Sequence, residues 1–401
     1  MTLAAVGLLA APLGCKPSGK EPPIDAGRPQ VPQVASRDQP GGRADLHSAV
    51  RCGECHGPIA AQWSESAHAS ASRTALYQAM RAKAPDGACD RCHSPLLDRV
   101  APGEIVASEG VTCELCHGIK GVVEHDGGAV YTLGLDENIK YGPHCDVRDN
   151  YFHKVGCSPL HAEARVCSGC HQWSMELPAG GHLAIFTEYD EWLGSGAAKA
   201  GIACQDCHMP GVAAEIAFGS PVRASVSHHG LLGRDGALRR AALSLALTVD
   251  DATPKLRAAI TLTNVGAGHK VPTGLPGRQV VLRVRVVDPQ GREIDRAERI
   301  YARVLVDEGG VEVPFYAATR EASDDRLGPR EARQVTFLLE PPAEGEVLAE
   351  VSWRELSPKL AESLGQPAPR EIALAEARVG FGKPRRGGGR AMLPRTVVAG
   401  P

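Results

Sequence analysis

From about residue 240 onward, apolar and polar residues alternate along the chain in a series of short segments. Residues 255–265 read KLRAAITLTNV and residues 279–288 read QVVLRVRVVD, with apolar side chains at every second position. Five further segments share the pattern: 243–249, 298–306, 333–339, 346–353 and 371–379. A period of two places alternate side chains on one face of a β-strand, and Gly/Pro turns separate the segments. The pattern predicts an all-β antiparallel sandwich of the immunoglobulin-like class over residues 239–381.

Residues 45–238 have no such alternation. Short stretches rich in Gly, Pro and Ala predict only brief helices, around residues 59–68, 70–83 and 187–194. Aromatic residues are 4% of the chain, which is low for a protein that must bury a large core. The sequence therefore predicts a mostly irregular, short-helix domain whose apolar interior comes partly from bound groups.

The two ends of the chain differ in composition from both domains. Residues 2–13, TLAAVGLLAAPL, suit the apolar part of a signal segment over residues 1–15 and are too short to span a bilayer. Cys15 follows Gly14 as in a lipoprotein cleavage site, which predicts a lipid on Cys15; the alternative is a plain signal peptide with an incidental cysteine. Residues 16–44 and 382–401 are rich in Pro and Gly, and predict a flexible linker and a disordered tail.

Charge and cysteine content reduce the number of possible classes of function. Lys and Arg number 44 against 47 Asp and Glu, and no basic run indicates nucleic acid. The pattern C-x-x-C-H occurs five times, although the 13 cysteines and 15 histidines would produce it by chance only about 0.02 times per chain. Its cysteines are Cys52, Cys55, Cys89, Cys92, Cys113, Cys116, Cys167, Cys170, Cys204 and Cys207.

The spacing has a chemical reason. Two cysteines three positions apart reach the two vinyl groups of one haem and form thioethers, and the histidine that follows becomes the proximal ligand of the iron. Those histidines are His56, His93, His117, His171 and His208. Zinc sites and disulfides do not require a histidine after each pair, and a thioredoxin-like motif would not repeat five times. The sequence predicts five covalent haem c groups, and hence export to the periplasm, outer membrane or cell surface.

Segments around these motifs resemble a known family. Residues 52–69 (CGECHGPIAAQWSESAHA), 110–118 (GVTCELCHG) and 201–210 (GIACQDCHMP) resemble multihaem cytochromes related to hydroxylamine oxidoreductase and its tetrahaem electron acceptor. Residues 264–274, NVGAGHKVPTG, are similar to a loop in members with an appended C-terminal β-domain. The resemblance implies closely packed haems and electron transfer. It does not imply one particular substrate.

The sixth ligand of each iron must come from the ten remaining histidines. His68 lies in the S-x-H-A context that the family uses for a distal ligand. His153 and His161 lie in a loop, and one of the neighbours His228 and His229 is expected to ligate, with His229 preferred. His269 lies between two predicted strands in a Gly-rich turn that can approach a flat cofactor closely. The predicted distal ligands are therefore His68, His153, His161, His229 and His269.

Cys145 and Cys157 remain once Cys15 and the motif cysteines are assigned. In an oxidising compartment they can close a short disulfide loop around His153, and two free thiols are the alternative.

Two functions fit these motifs and histidines. The first is an exported pentahaem cytochrome, mostly bis-histidine ligated, that exchanges electrons with other cytochromes or a quinol-linked donor. The second is an oxidoreductase acting on a small nitrogen or sulfur compound at one open haem. The number of candidate distal histidines and the absence of C-x-x-C-K favour the carrier, and no catalytic residue is assigned. A subunit of an extracellular cytochrome filament is a third possibility.

Overall fold

The computed structural model describes residues 46–84, 87–125, 127–233, 236–251, 254–382 and 395–399. The predicted signal segment, the lipid site and the linker lie outside these residues. The helices before residue 234 are α1 Ala49–Gly53, α2 Gly57–Ser64, α3 Ala75–Arg81, α4 Asp90–His93, α5 Cys113–Gly118, α6 Ser168–His171, α7 Glu188–Leu193, α8 Gly196–Lys199 and α9 Cys204–His208. In the described part of the chain, no helix is long and apolar enough to cross a membrane.

The helices are short because capping residues and turns limit them at their ends. Thr74 begins α3 by accepting a hydrogen bond from the backbone N–H of Tyr77, so this helix starts later than the predicted segment 70–83. Thr112 begins α5 in the same way, accepting from the N–H of Leu115. The expectation of a short-helix domain is confirmed.

This first part also contains strands that the sequence pattern did not predict. They are β1 Ile119–His125, β2 Gly128–Leu133, β3 Ile139–Gly142, β4 Lys154–Cys157, β5 Trp173–Glu176, β6 His182–Phe186, β7 Gly211–Glu215 and β8 Val222–Ser227. Strands β1, β2, β5 and β6 form one sheet, β3 pairs with β4 in parallel, and β7 pairs with β8. Most are too short, and too evenly half-exposed, to show sustained alternation.

The second part is antiparallel β-structure. After α10 Ala237–Ala242, its elements are β9 Leu243–Asp250, β10 Leu256–Asn264, β11 Gln279–Val287, β12 Glu293–Val306, β13 Arg320–Asp324, β14 Ala332–Leu339, β15 Glu344–Arg354, α11 Pro358–Ser363, β16 Glu371–Gly382 and β17 Arg395–Ala399. The sheets have strand orders β14-β10-β9-β17 and β13-β12-β11-β15-β16. All seven predicted strands are confirmed, and one buried apolar cluster joins the two sheets. The immunoglobulin-like class stays a prediction.

Two strands of the second part were not predicted. Strand β13 reads REASD and is largely exposed, so it carries no apolar alternation. Strand β17 lies in the tail that was expected to be disordered, and it pairs antiparallel with β9, with Val397 opposite Leu247. These five residues form a strand because the edge of β9 offers backbone hydrogen-bonding groups with which a neighbouring segment can pair.

The two parts are in contact through an apolar cluster and a buried arginine side chain. Met80 and Ile185 from the first part pack in one cluster with Phe315 and Leu360 from the second. The guanidinium of Arg303 donates to the carbonyl of Ile185 at 2.9 Å. This contact region, called the interdomain cluster below, fixes the β-domain against the motif-bearing part.

Candidate functional site

Four of the five motif histidines are oriented by the backbone. Each donates its Nδ1–H to a carbonyl oxygen: His56 to Ile216 at 2.5 Å, His93 to Ala71 at 2.9 Å, His117 to Tyr141 at 2.7 Å and His208 to Leu232 at 2.6 Å. Such a bond fixes the tautomer and leaves the Nε2 lone pair for a metal. The carbonyls could not be identified from the sequence, because any residue type supplies one.

Four motif histidines face a second histidine. The ring centres are 6.3 Å apart in every case: His56 with His153, His171 with His68, His117 with His229, and His208 with His269. An imidazole nitrogen lies about 2 Å from a first-row metal and about 1.2 Å from its own ring centre, so two imidazoles on opposite sides of one iron have centres about 6.4 Å apart. The spacing of these four pairs fits bis-histidine haem.

Three of the four facing rings repeat the backbone arrangement. His229 donates its Nδ1–H to the carbonyl of Ser227 at 2.7 Å, and His153 and His269 each donate to the carbonyl of the next residue at 3.0 Å. Their Nε2 atoms are thus left for a metal, as in the motif histidines. In contrast, His228 accepts from the N–H of Gly230 at 3.1 Å, which agrees with the preference for His229.

His161 lies 6.0 Å from His117 but is held differently. Its Nε2 is 2.8 Å from the carbonyl oxygen of Cys116, and its Nδ1 is 3.0 Å from the hydroxyl of Ser158. Both ring nitrogens therefore have protein partners. The sequence predicts His161 as a distal ligand, whereas this geometry favours a structural role for the ring.

His93 is the exception among the motif histidines. Within the described residues no histidine is placed opposite it at the 6.3 Å spacing; the ring that stacks on it is Tyr77, with centres 4.8 Å apart. The Tyr77 hydroxyl donates to Asp90 at 2.5 Å, and burial raises the pKa of Tyr77 to about 12. A protonated phenol tied to Asp90 is a poor ligand, so the second motif offers one axial nitrogen.

Burial keeps several of these imidazoles neutral. It lowers the pKa of His68 to about 3, with His171 adding to the effect, and it lowers the pKa of His117 and His208 to about 4. Neutral imidazole is the form that binds a metal, so the rings are ready to ligate at neutral pH.

Cysteines of different motifs lie beside each other. The Cys113 thiol hydrogen-bonds Cys52 and lowers its pKa, and Cys92 and Cys167 act in the same way on Cys170 and Cys204. In the haem-loaded protein these thiols would be thioether sulfurs. The contacts place motif one beside three, two beside four, and four beside five.

Cys145 and Cys157 form a disulfide, with Cα atoms 4.6 Å apart. The bond closes the loop that carries His153, which confirms the favoured pairing.

Gly268 explains how the β-domain reaches the fifth motif. A Cβ at this position would lie 3.0 Å from the Cβ of Ala197 and 3.4 Å from Cδ1 of Trp192. The missing side chain lets the turn press against α7 and α8, and this brings His269 opposite His208.

Comparisons with known proteins found a family and solved structures that this chain resembles. The family model of cytochrome c554 and c-prime matches residues 51–118, which include the first three motifs. A penta-haem cytochrome c552 from Thermochromatium tepidum matches with TM-score 0.68 and 21% identity, covering 84% of this chain and 99% of that one. A β-glucuronidase of glycoside hydrolase family 2 matches with TM-score 0.17 and 10% identity over 34% of this chain and 11% of that one, a similarity too weak to indicate a shared fold.

No curated protein matches the chain. The relation to hydroxylamine oxidoreductase stays a prediction. The family match and the shared fold support a multihaem c-type cytochrome that binds its haem covalently.

Proposed function

We propose that this chain is an exported electron-transfer cytochrome with five covalent haems, four held by two histidines and one, at His93, by a single histidine. The four histidine pairs at 6.3 Å carry the proposal. Haem c supplies one-electron redox chemistry, and two axial imidazoles leave no coordination position for a substrate. The residues of this chain hold the groups, exclude water and set their order.

The cysteine contacts suggest that order. Cys52 touches Cys113. The pKa of Cys167 is raised mainly by its hydrogen bond with Cys204, and the nearby Cys116 also contributes, which puts motif three near motif four. Motif four then contacts motif five through Cys204 and motif two through Cys92. We infer an electron route one-three-four-five, with motif two as a branch from motif four.

The surroundings of motif one suit contact with a redox partner. Phe218, whose N–H donates to the Cys55 carbonyl at 2.7 Å, is 92% exposed. Beside His153, Tyr151 and Phe152 are 96% and 61% exposed. Aromatic side chains in such positions are common at protein interfaces, whereas the β-domain covers motif five. Partners of this kind are another cytochrome or a quinol-linked donor.

Removing the second motif tests both the haem number and the single open iron. In the Cys89→Ala/Cys92→Ala variant we expect four haems by intact mass instead of five. The high-spin signal in electron paramagnetic resonance should disappear with it, because the missing haem is the one at His93.

The matched control is Cys113→Ala/Cys116→Ala. It should also lose one haem by mass, but keep the high-spin signal and lose a low-spin one instead. If the unaltered protein holds fewer than five haems, or only low-spin iron, the proposal is wrong in that respect.

Partner exchange should depend on Phe218. Replacing Phe218 by Ser should slow electron exchange with a small cationic single-haem cytochrome about tenfold, since one aromatic interface contact is worth ~1.4 kcal/mol. Stopped-flow rates at low and high salt measure this. Higher salt should slow the unaltered protein as well, because haem propionates make it acidic. Leu338→Ser, on the β-domain, is the control; equal rates for both variants would exclude contact at motif one.

A second function has its own supporting observation. No histidine among the described residues faces His93, and a haem held there by one histidine has a coordination position where a small nitrogen or sulfur compound can bind. Steady-state turnover of hydroxylamine, nitrite or sulfite, compared with the Cys89→Ala/Cys92→Ala variant, separates this oxidoreductase from a pure carrier. Export and lipid attachment at Cys15 are tested by the mass of the mature N-terminus.

A further inference from the structure

The turn that carries His269 is held from two sides. From its own domain, the side-chain amide of Asn264 donates to the carbonyl of His269 at 2.9 Å and accepts from the N–H of Ala267 at 3.0 Å. From the first part of the chain, Oε2 of Glu191 accepts a hydrogen bond from the backbone N–H of Lys270 at 2.9 Å. Lys270 directly follows His269, so the carboxylate of α7 contacts the backbone one residue away from the ring that faces the fifth motif.

The second oxygen of Glu191 is held as well. Its Oε1 accepts from the hydroxyl of Thr187 at 2.6 Å and pairs with Nη2 of Arg326 at 2.8 Å, and the Glu191 side chain is only 8% exposed. Arg326 and Lys270 both also pair with Asp324, at 2.8 Å each. A buried carboxylate with both oxygens engaged has one orientation, because any other would leave a buried charge without its partners.

Helix α7 is in contact with the fifth motif too. Trp192, next to Glu191, donates its Nε1–H to the carbonyl of Ile202 at 2.8 Å, two residues before the first cysteine of that motif. One helix therefore holds the segment that leads to His208 through one residue and the turn of His269 through the neighbouring residue. Two imidazoles on one iron need a fixed separation, and these ring centres are 6.3 Å apart.

We propose that Glu191 is a positioning residue for the distal ligand of the fifth haem, and that it keeps His269 opposite His208 through the backbone N–H of Lys270. The inference rests on the proposed function, because it needs a haem at the fifth motif. Without the carboxylate, the turn keeps its contact with Asn264 but loses its hydrogen bond to the helix that also holds the motif. His269 should then leave the iron more easily.

The experiment adds cyanide to the ferric, haem-loaded protein and follows displacement of His269 by electron paramagnetic resonance. The iron concerned is the one that becomes high-spin in His269→Ala. In Glu191→Ala, cyanide should bind this iron at a concentration about 10- to 100-fold lower, the usual range for a lost hydrogen bond to a charged group. Glu191→Gln should lower the concentration less, because the amide oxygen can still accept from the N–H of Lys270.

Two further variants separate positioning from general contact between the two parts. Arg303 lies in the interdomain cluster, where it donates to the carbonyls of Ile185 and Ala184. Arg303→Met removes this contact between the two parts and should leave the cyanide concentration at the fifth motif unchanged. The double variant Glu191→Ala/His269→Ala should bind cyanide there as His269→Ala does, because no ring remains to be displaced.

An unchanged cyanide concentration in Glu191→Ala would overturn the inference. An equal decrease in Arg303→Met would overturn it as well, because Glu191 would then act only by joining the two parts. If Glu191→Ala does not fold, Thr187→Val replaces it: loss of the hydroxyl on Oε1 should lower the concentration slightly, and no change in both Thr187→Val and Glu191→Gln would count against Glu191. If His269→Ala shows no new high-spin iron, ligation at the fifth motif is refuted, and the proposed function fails there independently of Glu191.

Discussion

Replacing His269 by Ala should open a second iron. His269 faces His208 at 6.3 Å, with its Nε2 directed away from its own backbone contact at Lys270. Without this ring, the fifth motif offers one axial nitrogen. We expect the high-spin signal in electron paramagnetic resonance to rise from one iron to two, and carbon monoxide binding to double. The β-domain should also lose one link to the motif-bearing part.

His161→Ala is the matched control for this prediction. His161 lies 6.0 Å from a motif histidine, nearly the same spacing, but both its nitrogens contact protein atoms. The spectrum of this variant should keep a single high-spin iron. A second high-spin iron in His161→Ala would restore His161 as a ligand, and an unchanged spectrum in His269→Ala would reduce the β-domain to a docking module.

Replacing Arg326 by Met should destabilise the protein by about 3–5 kcal/mol, the usual cost of leaving a buried charge without its partner. Arg326 forms an ion pair with Glu191 at 2.8 Å, and both side chains are under a tenth exposed. Glu191 belongs to α7 and Arg326 to the β-domain, so the pair spans the two parts. The loss is measured by reversible denaturant unfolding of the haem-loaded protein.

Lys255→Met provides the comparison. Lys255 pairs with Glu340 at 2.9 Å, but the two side chains are 57% and 63% exposed. Water screens such a pair, and its loss should change the free energy of unfolding by about 1 kcal/mol or less. Similar effects of both substitutions would mean that the contact between Arg326 and Glu191 does not hold the domains together.

The strands of the β-domain were predictable because each has one face on a shared apolar cluster. Leu245 and Leu247 are fully buried on β9, as are Ile260 and Leu262 on β10, and that burial requires alternation in the sequence. The strands of the first part were not predictable from the sequence. The segments between the motifs are short, and the faces of these strands are only half-buried. Strand β17 depends on an edge that β9 provides, which no local pattern of the tail reveals.

The proximal half of each site follows from the sequence alone. Cys89, Cys92 and His93 lie within five positions, so one helical turn brings them together whatever the rest of the chain does. The distal half depends on the tertiary structure. His68 faces His171 within the first part, and His269 of the β-domain faces His208, in both cases across long stretches of chain. Only tertiary packing selects these rings over His161 or His228. A second axial ligand needs a free ring nitrogen and a ring that lies at the right distance from the first histidine. A sequence shows that a histidine is present, but not where its nitrogens point.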